Sequence, residues 1–350
     1  MTEKKIRYGV VSFAMGHAYP WVKGIIDNPR AELAGFWDED EKRGREAAER
    51  YGTTFYENLD DLLPLCDGVA VTPTTDKHLE LVKKVAEAGV AIMLEKPLAM
   101  NMQEGFAMKE IVEKTGVKFM MNFPKRFDDA NRKLAEMVHG GRLGKITLVR
   151  IRHCHYIYRT MGDQTWFAQP KHSGGGALFD EGSHAFDLLR WLLGDPETVY
   201  GIVSNGGLGL ECDDTGIALF RYANGAIAEV ISSGAMLAAE ESVEVYGTEG
   251  TAIISGVDMA SREFSKPPYF KVYFFSKERD GWKDGGVVPD FMLGYFHEKC
   301  PLHFVNYLLG EEKEPIVSLN EGLKALLMAE KAYESSRTHQ EIKLDWTGME

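Results

Sequence analysis

The sequence predicts an α/β protein with two regions, a doubly wound parallel sheet followed by an α+β domain with an open, mostly antiparallel sheet. Between residues 6 and 121, short apolar runs alternate with helical patterns, which is typical of parallel strands covered on both faces. From residue 198 onward, strand patterns follow one another with turn signals between them, of which Asn224-Gly225 is the strongest. A chain of 350 residues is long enough for two domains, which we place at 1–122 and 123–350.

The first region has a regular order of elements. One of its helices begins with Asn101 and Glu104 at capping-box spacing and ends at Gly116. The predicted strands are 6–13, 32–37, 68–71, 90–94 and 118–121, and the predicted helices are 18–28, 39–51, 76–88 and 101–115.

The second region departs from this alternation. Asn224-Gly225 lies between two strand patterns and predicts a hairpin. The last helix has Ser318 and Glu321 at capping-box spacing. The predictions are helices at 126–138, 177–193, 302–309 and 320–335, a long strand at 145–158, several strands within 198–255, and loop with edge strand over 256–290.

Charge and composition exclude several classes of function. The 40 Lys and Arg against 53 Asp and Glu give a net charge of −13, which repels phosphate backbones and excludes nucleic acid as a partner. No apolar stretch approaches the roughly 20 residues that a membrane helix needs, and the charged N-terminus does not resemble a secretory signal. The cysteines are widely spaced, as expected of thiols in a reducing cytoplasm. They are Cys66, Cys154, Cys212 and Cys300.

The turn after the first strand is a candidate phosphate-binding loop. A dinucleotide fold places GxGxxG there, and in this chain the three glycine positions hold Ser12, Ala14 and His17. Two of these residues are small enough to let the backbone approach a pyrophosphate. His17 is either a hydrogen-bond donor to the pyrophosphate or a helix-start residue. The predicted cofactor contacts in this loop are Ser12, Phe13, Ala14, Met15, Gly16 and His17.

Asp38 strengthens the dinucleotide interpretation. It ends the second strand about 20–25 residues after the turn, where such folds place an acid on the ribose hydroxyls. The alternative is an N-cap for the next helix, and one residue can serve both roles. With Glu39 and Asp40 beside it, the site would repel a 2′-phosphate, which favours NAD over NADP.

Two further segments lie where the third and fourth strands end. Ligands of open α/β sheets bind at the carboxyl ends of the strands, so both segments are candidate cofactor contacts. Lys96 stands between an acid and a proline directly after an apolar run. Few structural roles would require a lysine at this position, which favours a functional role. The residues selected are Thr72, Pro73, Thr74, His78, Glu95, Lys96 and Pro97.

These motifs together resemble the Gfo/Idh/MocA family, which includes glucose–fructose oxidoreductase and inositol dehydrogenase. The resemblance covers nearly the whole chain and includes TPTTDKH at 72–78, NFPKRFD at 122–128 and GRLGKI at 141–146. Its most specific part is EKP at 95–97 combined with GGG…DxGxHxxD at 174–187. The resemblance implies a Rossmann domain followed by an α/β domain, and NAD(P)-dependent oxidation or reduction of a sugar, polyol or related alcohol.

The resemblance also implies a catalytic set of Lys96, Asp180 and His184. Asp180 and His184 are four residues apart and share one face of a helix. Alcohol oxidation needs a base for the hydroxyl proton, and histidine suits that role near neutral pH. Lys96 can hold the developing charge on the same oxygen, and Asp180 can bind a neighbouring hydroxyl or orient the imidazole.

The expected substrate pocket lies between the two domains and is rich in aromatic side chains. Aromatic faces stack on sugar C–H surfaces, and tyrosine hydroxyls bind ring oxygens. His153 and His155 share a strand face at a spacing that suits metal, but strand histidines are more often polar contacts, so no metal is expected. Lys125 and Arg126 either touch the ligands or are surface charge. The residues selected for the substrate are His155, Tyr156, Tyr158, Trp166 and Arg126.

The leading hypothesis is therefore an NAD-dependent sugar or polyol dehydrogenase. Two alternatives share the fold: a glycoside hydrolase that uses NAD as a transient oxidant, and a dinucleotide-sensing regulator. An open sheet covered by helices on one side leaves an apolar face, which predicts a homodimer or homotetramer through the C-terminal sheet.

Overall fold

The computed structural model describes residues 5–161, 165–258, 268–275, 281–289 and 295–350. These residues form two compact units. The first unit contains the described residues up to 124 together with 295–323. The second contains those from 125 to 289 together with 324–350. The boundary after residue 122 stays a prediction, and the sequence pattern gave no sign that a late segment returns to the first unit.

The elements are labelled in chain order. The strands are β1 (Ile6–Val11), β2 (Ala31–Trp37), β3 (Gly68–Val71), β4 (Ala91–Glu95), β5 (Phe119–Asn122), β6 (Ile146–Cys154), β7 (Thr198–Ser204), β8 (Thr215–Arg221), β9 (Ile227–Ser233), β10 (Glu240–Gly247), β11 (Gly250–Asp258), β12 (Tyr269–Phe274), β13 (Lys283–Asp284) and β14 (Ile342–Lys343). The α-helices are α1 (Ala18–Ile26), α2 (Glu41–Tyr51), α3 (Leu59–Leu62), α4 (His78–Glu87), α5 (Met102–Thr115), α6 (Asp129–His139), α7 (Ile157–Met161), α8 (Pro170–Ser173), α9 (Asp180–Leu193), α10 (Tyr295–Leu309) and α11 (Leu319–Thr338).

The first unit is built on a parallel sheet whose strands, in the described residues, run in the order β2-β1-β3-β4-β5. Every residue of β3, β4 and β5 is buried, as expected for strands covered on both faces. The strand order reverses between β1 and β3, which opens a crevice at their carboxyl ends. The late helix α10 completes this unit by packing on α1, where Gly24 lies against the backbone of Glu298 because no side chain separates them.

The second unit is built on a sheet whose described strands run in the order β13-β12-β11-β10-β6-β9-β8-β7-β14. Its neighbours pair antiparallel, with the exception of β6 and β9, which are parallel. Helix α9 packs on β6 and β9 and buries Phe186 and Leu189 among others. The fold class predicted from the sequence is therefore confirmed for both regions.

The predicted strand over 145–158 is wrong at its C-terminal end. β6 ends at Cys154, because its parallel partner β9 ends at Ser233 and offers no further ladder. The chain then bends, with the amide of His155 donating to Ser233 and that of Tyr158 to Gly234, and continues as α7. The prediction for 256–290 falls partly outside the described residues, and its described part contains β12 and β13. None of the helices in the described residues is long and apolar enough to cross a bilayer.

Candidate cofactor site and active site

The turn after β1 is tight although it lacks the expected glycines. Ser12 adopts a φ of 75°, in the left-handed region that glycine occupies at least cost. Its amide donates to the carbonyl of Trp37 at 2.7 Å, and its carbonyl accepts from the Thr72 hydroxyl at 2.5 Å. Beyond it, a Cβ added at Gly16 would meet nothing within 4 Å, so space is open beside the start of α1. A helix N-terminus with open space beside it suits a phosphate group.

The other loop residues support this turn. The ring of Phe13 packs against that of Phe36 at 4.9 Å, and the amide of Ala14 donates to the Ser12 hydroxyl at 3.1 Å. The amide of Met15 donates to the carbonyl of Thr72 at 3.0 Å, which ties the loop to the end of β3. The turn is therefore held by its own hydrogen bonds before any ligand arrives.

Asp38 lies at the end of β2, where the sequence places a ribose acceptor, but its side chain is 0% exposed. Its carboxylate accepts from the amide of Phe13 at 2.8 Å and from that of Asp40 at 2.8 Å. Arg43 adds two bonds, from Nε at 2.9 Å and from Nη2 at 2.6 Å. In this structure Asp38 fastens the turn to the start of α2, and its contact with ribose stays a prediction.

Glu39 is an accessible acid at this edge. Its side chain is 35% exposed, and its Oε1 accepts from the Ser12 hydroxyl at 3.0 Å and from Arg43 at 2.8 Å. Burial, followed by the neighbouring charge of Asp38, raises the pKa of Glu39. The sequence indicated Glu39 only as added negative charge, so its direct bond to the turn is a finding of the structure.

The EKP segment begins at Glu95, the last residue of β4, and is fully buried. Lys96 is 1% exposed and precedes Pro97 through a cis peptide bond. Glu95 approaches Nδ1 of His17 at 3.1 Å, and the His17 ring stacks on that of His297 from α10 at 4.1 Å. Burial and the neighbouring His17 and Lys96 lower the pKa of His297 well below its usual range. His17 is thus tied to the EKP segment, and its contact with pyrophosphate stays a prediction.

The segment after β3 is partly buried. Pro73 is buried, and the Thr74 hydroxyl donates to Asp76 at 2.5 Å. His78 is completely buried, with Nδ1 at 3.2 Å from the carbonyl of Leu98, and burial lowers its pKa. His78 therefore contacts the backbone directly after the EKP segment and supports it.

Buried polar atoms without a hydrogen-bond partner among the described residues cluster at the ends of β3, β4 and β5. Such atoms are costly to bury unless something else satisfies them. A dinucleotide with its hydroxyls and phosphates would offer partners at this sheet edge, so the residues present fit NAD. The atoms are Oγ1 of Thr75, Nε2 of His78, Oε2 of Glu95 and both amide atoms of Asn122.

In the second unit, Asp180 and His184 lie in the first turns of α9, and both are buried. The glycine triplet before the helix permits close approach to Asp213, whose carboxylate accepts from the amide of Gly176 at 3.0 Å and from that of Leu178 at 2.9 Å. A Cβ at Gly176 would collide with the backbone of Asp213. The triplet is therefore required for the loop that starts α9.

A buried polar cluster adjoins His184. The ring of His153 lies 5.0 Å from that of His184, with Nε2 at 2.8 Å from Glu181 and Nδ1 at 3.0 Å from Glu241. Nε2 of His155 is 3.7 Å from the same Glu181 oxygen. Burial, followed by the charge of Lys125, lowers the pKa of His153 to about 3, so the imidazole is neutral at pH 7.

Lys125 and Arg126 are not surface charges. The Lys125 ammonium touches the carboxylate of Glu241, and burial lowers its pKa to about 7. Arg126 is buried and donates two hydrogen bonds to the carboxylate of Asp187 in α9, from Nη2 at 2.6 Å and from Nε at 2.9 Å. Arg126 thus has a structural partner, and its contact with substrate stays a prediction.

The remaining predicted substrate residues surround α7. Tyr158 is 3% exposed and packs on the backbone of Gly234, where an added Cβ would collide with its ring. Tyr156 is half-buried and begins the bend that leads into α7. Trp166 is half-buried and stacks on Phe167 at 3.9 Å.

Sequence reasoning missed two members of the polar cluster. Glu181 lies between the singled-out Asp180 and His184, and its position next to them was the only signal. Glu241 is on β10, which the sequence could not place beside β6.

The residues of this chain match two family models. Residues 6–123 match the NAD-binding Rossmann fold of an oxidoreductase family, and residues 131–253 match the GFO/IDH/MocA C-terminal domain. The protein is therefore an oxidoreductase with an NAD-binding Rossmann domain. The chain belongs to the Gfo/Idh/MocA family, as the motifs in its sequence predicted.

Known relatives and solved structures agree with this assignment. The chain is 30% identical to 1,5-anhydro-D-fructose reductase of Ensifer adhaerens, over 71% of this chain and 75% of that protein. It is 27% identical to myo-inositol 2-dehydrogenase of Thermotoga maritima, over 97% and 99% of the two chains. Its fold is similar to that of the WlbA dehydrogenase from Bordetella pertussis, solved with NADH and UDP-GlcNAcA, with a TM-score of 0.82 at 24% identity over 99% of each chain.

Proposed function

We propose that this protein transfers a hydride between NAD and a secondary alcohol of a sugar, cyclitol or related polyol. The observation that carries the proposal is the buried pair of Asp180 and His184 in the first turns of α9, within an NAD-binding oxidoreductase. Curated relatives named for anhydrofructose and myo-inositol support this substrate class.

Lys96, Asp180 and His184 each take part in this reaction. His184 accepts the hydroxyl proton, because imidazole is the side chain suited to proton transfer near neutral pH. Lys96 donates a hydrogen bond to the alcohol oxygen and stabilises its developing negative charge. Asp180 binds a neighbouring hydroxyl or orients the imidazole. NAD, when bound, supplies the acceptor for the hydride.

The substrate class is tested by measuring NADH formation against a panel of cyclitols, aldoses and uronates. We expect turnover with at least one polyhydroxylated alcohol and net accumulation of NADH. Release of free sugar from a glycoside of one of these compounds, without net NADH, would instead support the hydrolase alternative. No turnover across the whole panel, with NADH binding intact, would contradict the proposal.

Cofactor preference should depend on Glu39. Its partly exposed carboxylate, beside the turn, would repel a 2′-phosphate, so wild type should bind NADH more tightly than NADPH. Glu39→Gln should narrow this preference by about tenfold, equivalent to about 1.4 kcal/mol. Fluorescence titration with both nucleotides measures the ratio. Glu41→Gln, an exposed acid one residue beyond Asp40, is the control that should leave it unchanged. Tighter NADPH binding by wild type would contradict the prediction.

Assembly should involve the sheet face opposite α9. Three large apolar side chains on adjacent strands are each about half exposed: Ile202, Leu219 and Ile227. Exposing such side chains together to water is unfavourable and is typical of an association surface. We propose a homodimer or homotetramer through this face. Light scattering should give a multiple of 39.2 kDa, and Leu219→Glu with Ile227→Glu should shift it to the monomer. A wild-type monomer at micromolar concentration would contradict this.

We also propose a cytoplasmic location. The four cysteines are buried thiols, and burial raises the pKa of Cys66 and Cys154 to about 12. Such thiols are unreactive and are compatible with a reducing compartment. Fractionation of the source cells with an antibody tests the location.

A further inference from the structure

Two imidazoles from the C-terminal end of β6 and the residue after it converge with a carboxylate of α9. One ligand atom each from His153, His155 and Glu181 lies within 4.8 Å of the other two. His153 lies in β6 and His155 directly follows its last residue, where the chain bends, and α9 packs on β6. Both Nε2 atoms approach the same oxygen of Glu181, at 2.8 Å and 3.7 Å.

We propose that His153, His155 and Glu181 bind a divalent transition-metal ion, with zinc as the best match. Two imidazoles and one carboxylate form the donor set of many catalytic zinc sites, and this set leaves coordination positions open. Ligand atoms around a tetrahedral ion with bonds of about 2.1 Å stand about 3.4 Å apart, and the two distances to Glu181 bracket this value.

A second observation supports the site independently of the donor set. The other ring nitrogen of His153, Nδ1, faces Glu241 at 3.0 Å, and Glu241 in turn touches the ammonium of Lys125. Histidines that bind metals nearly always donate their second ring N–H to such a carboxylate, which fixes the ring and raises its basicity. His153 is therefore held with Nε2 directed toward Glu181.

Burial distinguishes this cluster from ordinary surface acids. His153 is 1% exposed and Glu181 is 4% exposed, whereas the side chain of His155 is 27% exposed. The ion would thus be bound by two interior ligands and reached from the side of His155. The alternative is that these side chains share a proton and bind no metal ion. The metal-binding experiment below distinguishes the two cases.

The test measures metal binding by the full-length protein without any affinity tag. The chelator-treated protein is titrated with zinc by calorimetry and with cobalt by visible absorption, and the purified protein is analysed for bound metal. We expect one ion per chain, with the absorption of cobalt in a low-symmetry nitrogen and oxygen site. These measurements need no turnover, so their outcome is separate from that of the proposed dehydrogenase activity.

Variants identify the ligands. His155→Ala and Glu181→Gln should weaken zinc binding by at least about tenfold. Glu241→Gln removes the charge that faces both His153 and Lys125, and it should weaken zinc binding by about 10–100-fold. His155→Ala is the main variant because its partly exposed side chain can be removed without emptying the core. The matched control is His339→Asn, an exposed histidine at a φ of 56° that asparagine tolerates. Wild type that binds no ion while folded, or His155→Ala and Glu181→Gln that bind as tightly as wild type, would overturn the site.

Discussion

Replacing Lys96 or His184 by alanine should lower kcat by about 10²–10⁴, the range typical for loss of a positioned acid or base. Both side chains are buried and are proposed to act on one substrate oxygen. The proposal makes them act together on that oxygen, so the double variant should be little worse than the worse single variant. NAD affinity should change far less, since neither residue is assigned to the adenine end of the cofactor.

The measurement is steady-state turnover on a confirmed substrate, together with NADH binding by fluorescence. The rising limb of the kcat/KM pH profile for oxidation should vanish in His184→Ala. Lys42→Ala, a side chain 85% exposed on α2, serves as the control for loss of a lysine. Near-normal turnover in both single variants would remove these residues from the mechanism.

Breaking the buried pair of Arg126 and Asp187 should produce the largest loss of stability. Asp187→Ala leaves a guanidinium in the interior without its carboxylate, and such a break typically costs about 3–5 kcal/mol. The pair joins the segment before α6 to the middle of α9, so the second unit should unfold at lower urea concentration.

A double variant separates the effect of the buried charges on stability from the effect of side-chain packing. Arg126→Met with Asp187→Leu removes both charges and should recover part of the loss. For comparison, Glu87→Ala breaks a pair with Lys83 whose side chains are each 56% exposed, and it should cost only about 0–1 kcal/mol. Urea unfolding followed by circular dichroism gives these values. If Asp187→Ala costs no more than Glu87→Ala, the pair does not stabilise the unit.

Much of the first unit could be predicted because its signals are local. The strand Gly68–Val71 was predicted with its observed bounds, and Asn101 caps α5 by accepting from the amide of Glu104 at 2.9 Å. The capping hydrogen bond spans three residues, and the apolar run itself marks the bounds of the strand, although the strand pairs with distant residues of β1 and β4. The predicted strand 145–158 failed because its end is set by β9, about 75 residues later, and alternation within the strand carries no information about the partner's length.

For the same reason, the sequence indicated the site residues that lie close together in the chain but not those that distant strands contribute. The family resemblance singled out Asp180 and His184, which lie together on one helix, and their catalytic role stays a prediction. The resemblance could not find Glu241, which reaches His153 only because β10 pairs with β6. Asp38 was placed correctly at the end of β2, but its burial depends on the amide of Phe13 and on Arg43, whose positions relative to it are fixed by the folded turn.

The return of 295–323 to the first unit determines the order in which this protein can be completed during synthesis. The core of that unit includes Phe304 of α10, which packs edge-on against Tyr8 of β1 at 6.3 Å. A ribosome that has released residues 1–124 has therefore not yet released part of the interior that those strands need. Until some 300 residues have emerged, apolar surface of the first strands stays uncovered, and closing so long a loop is slow. The amino-terminal third of the chain is thus completed only by residues released near the end of synthesis, and its uncovered apolar surface favours aggregation in the interval.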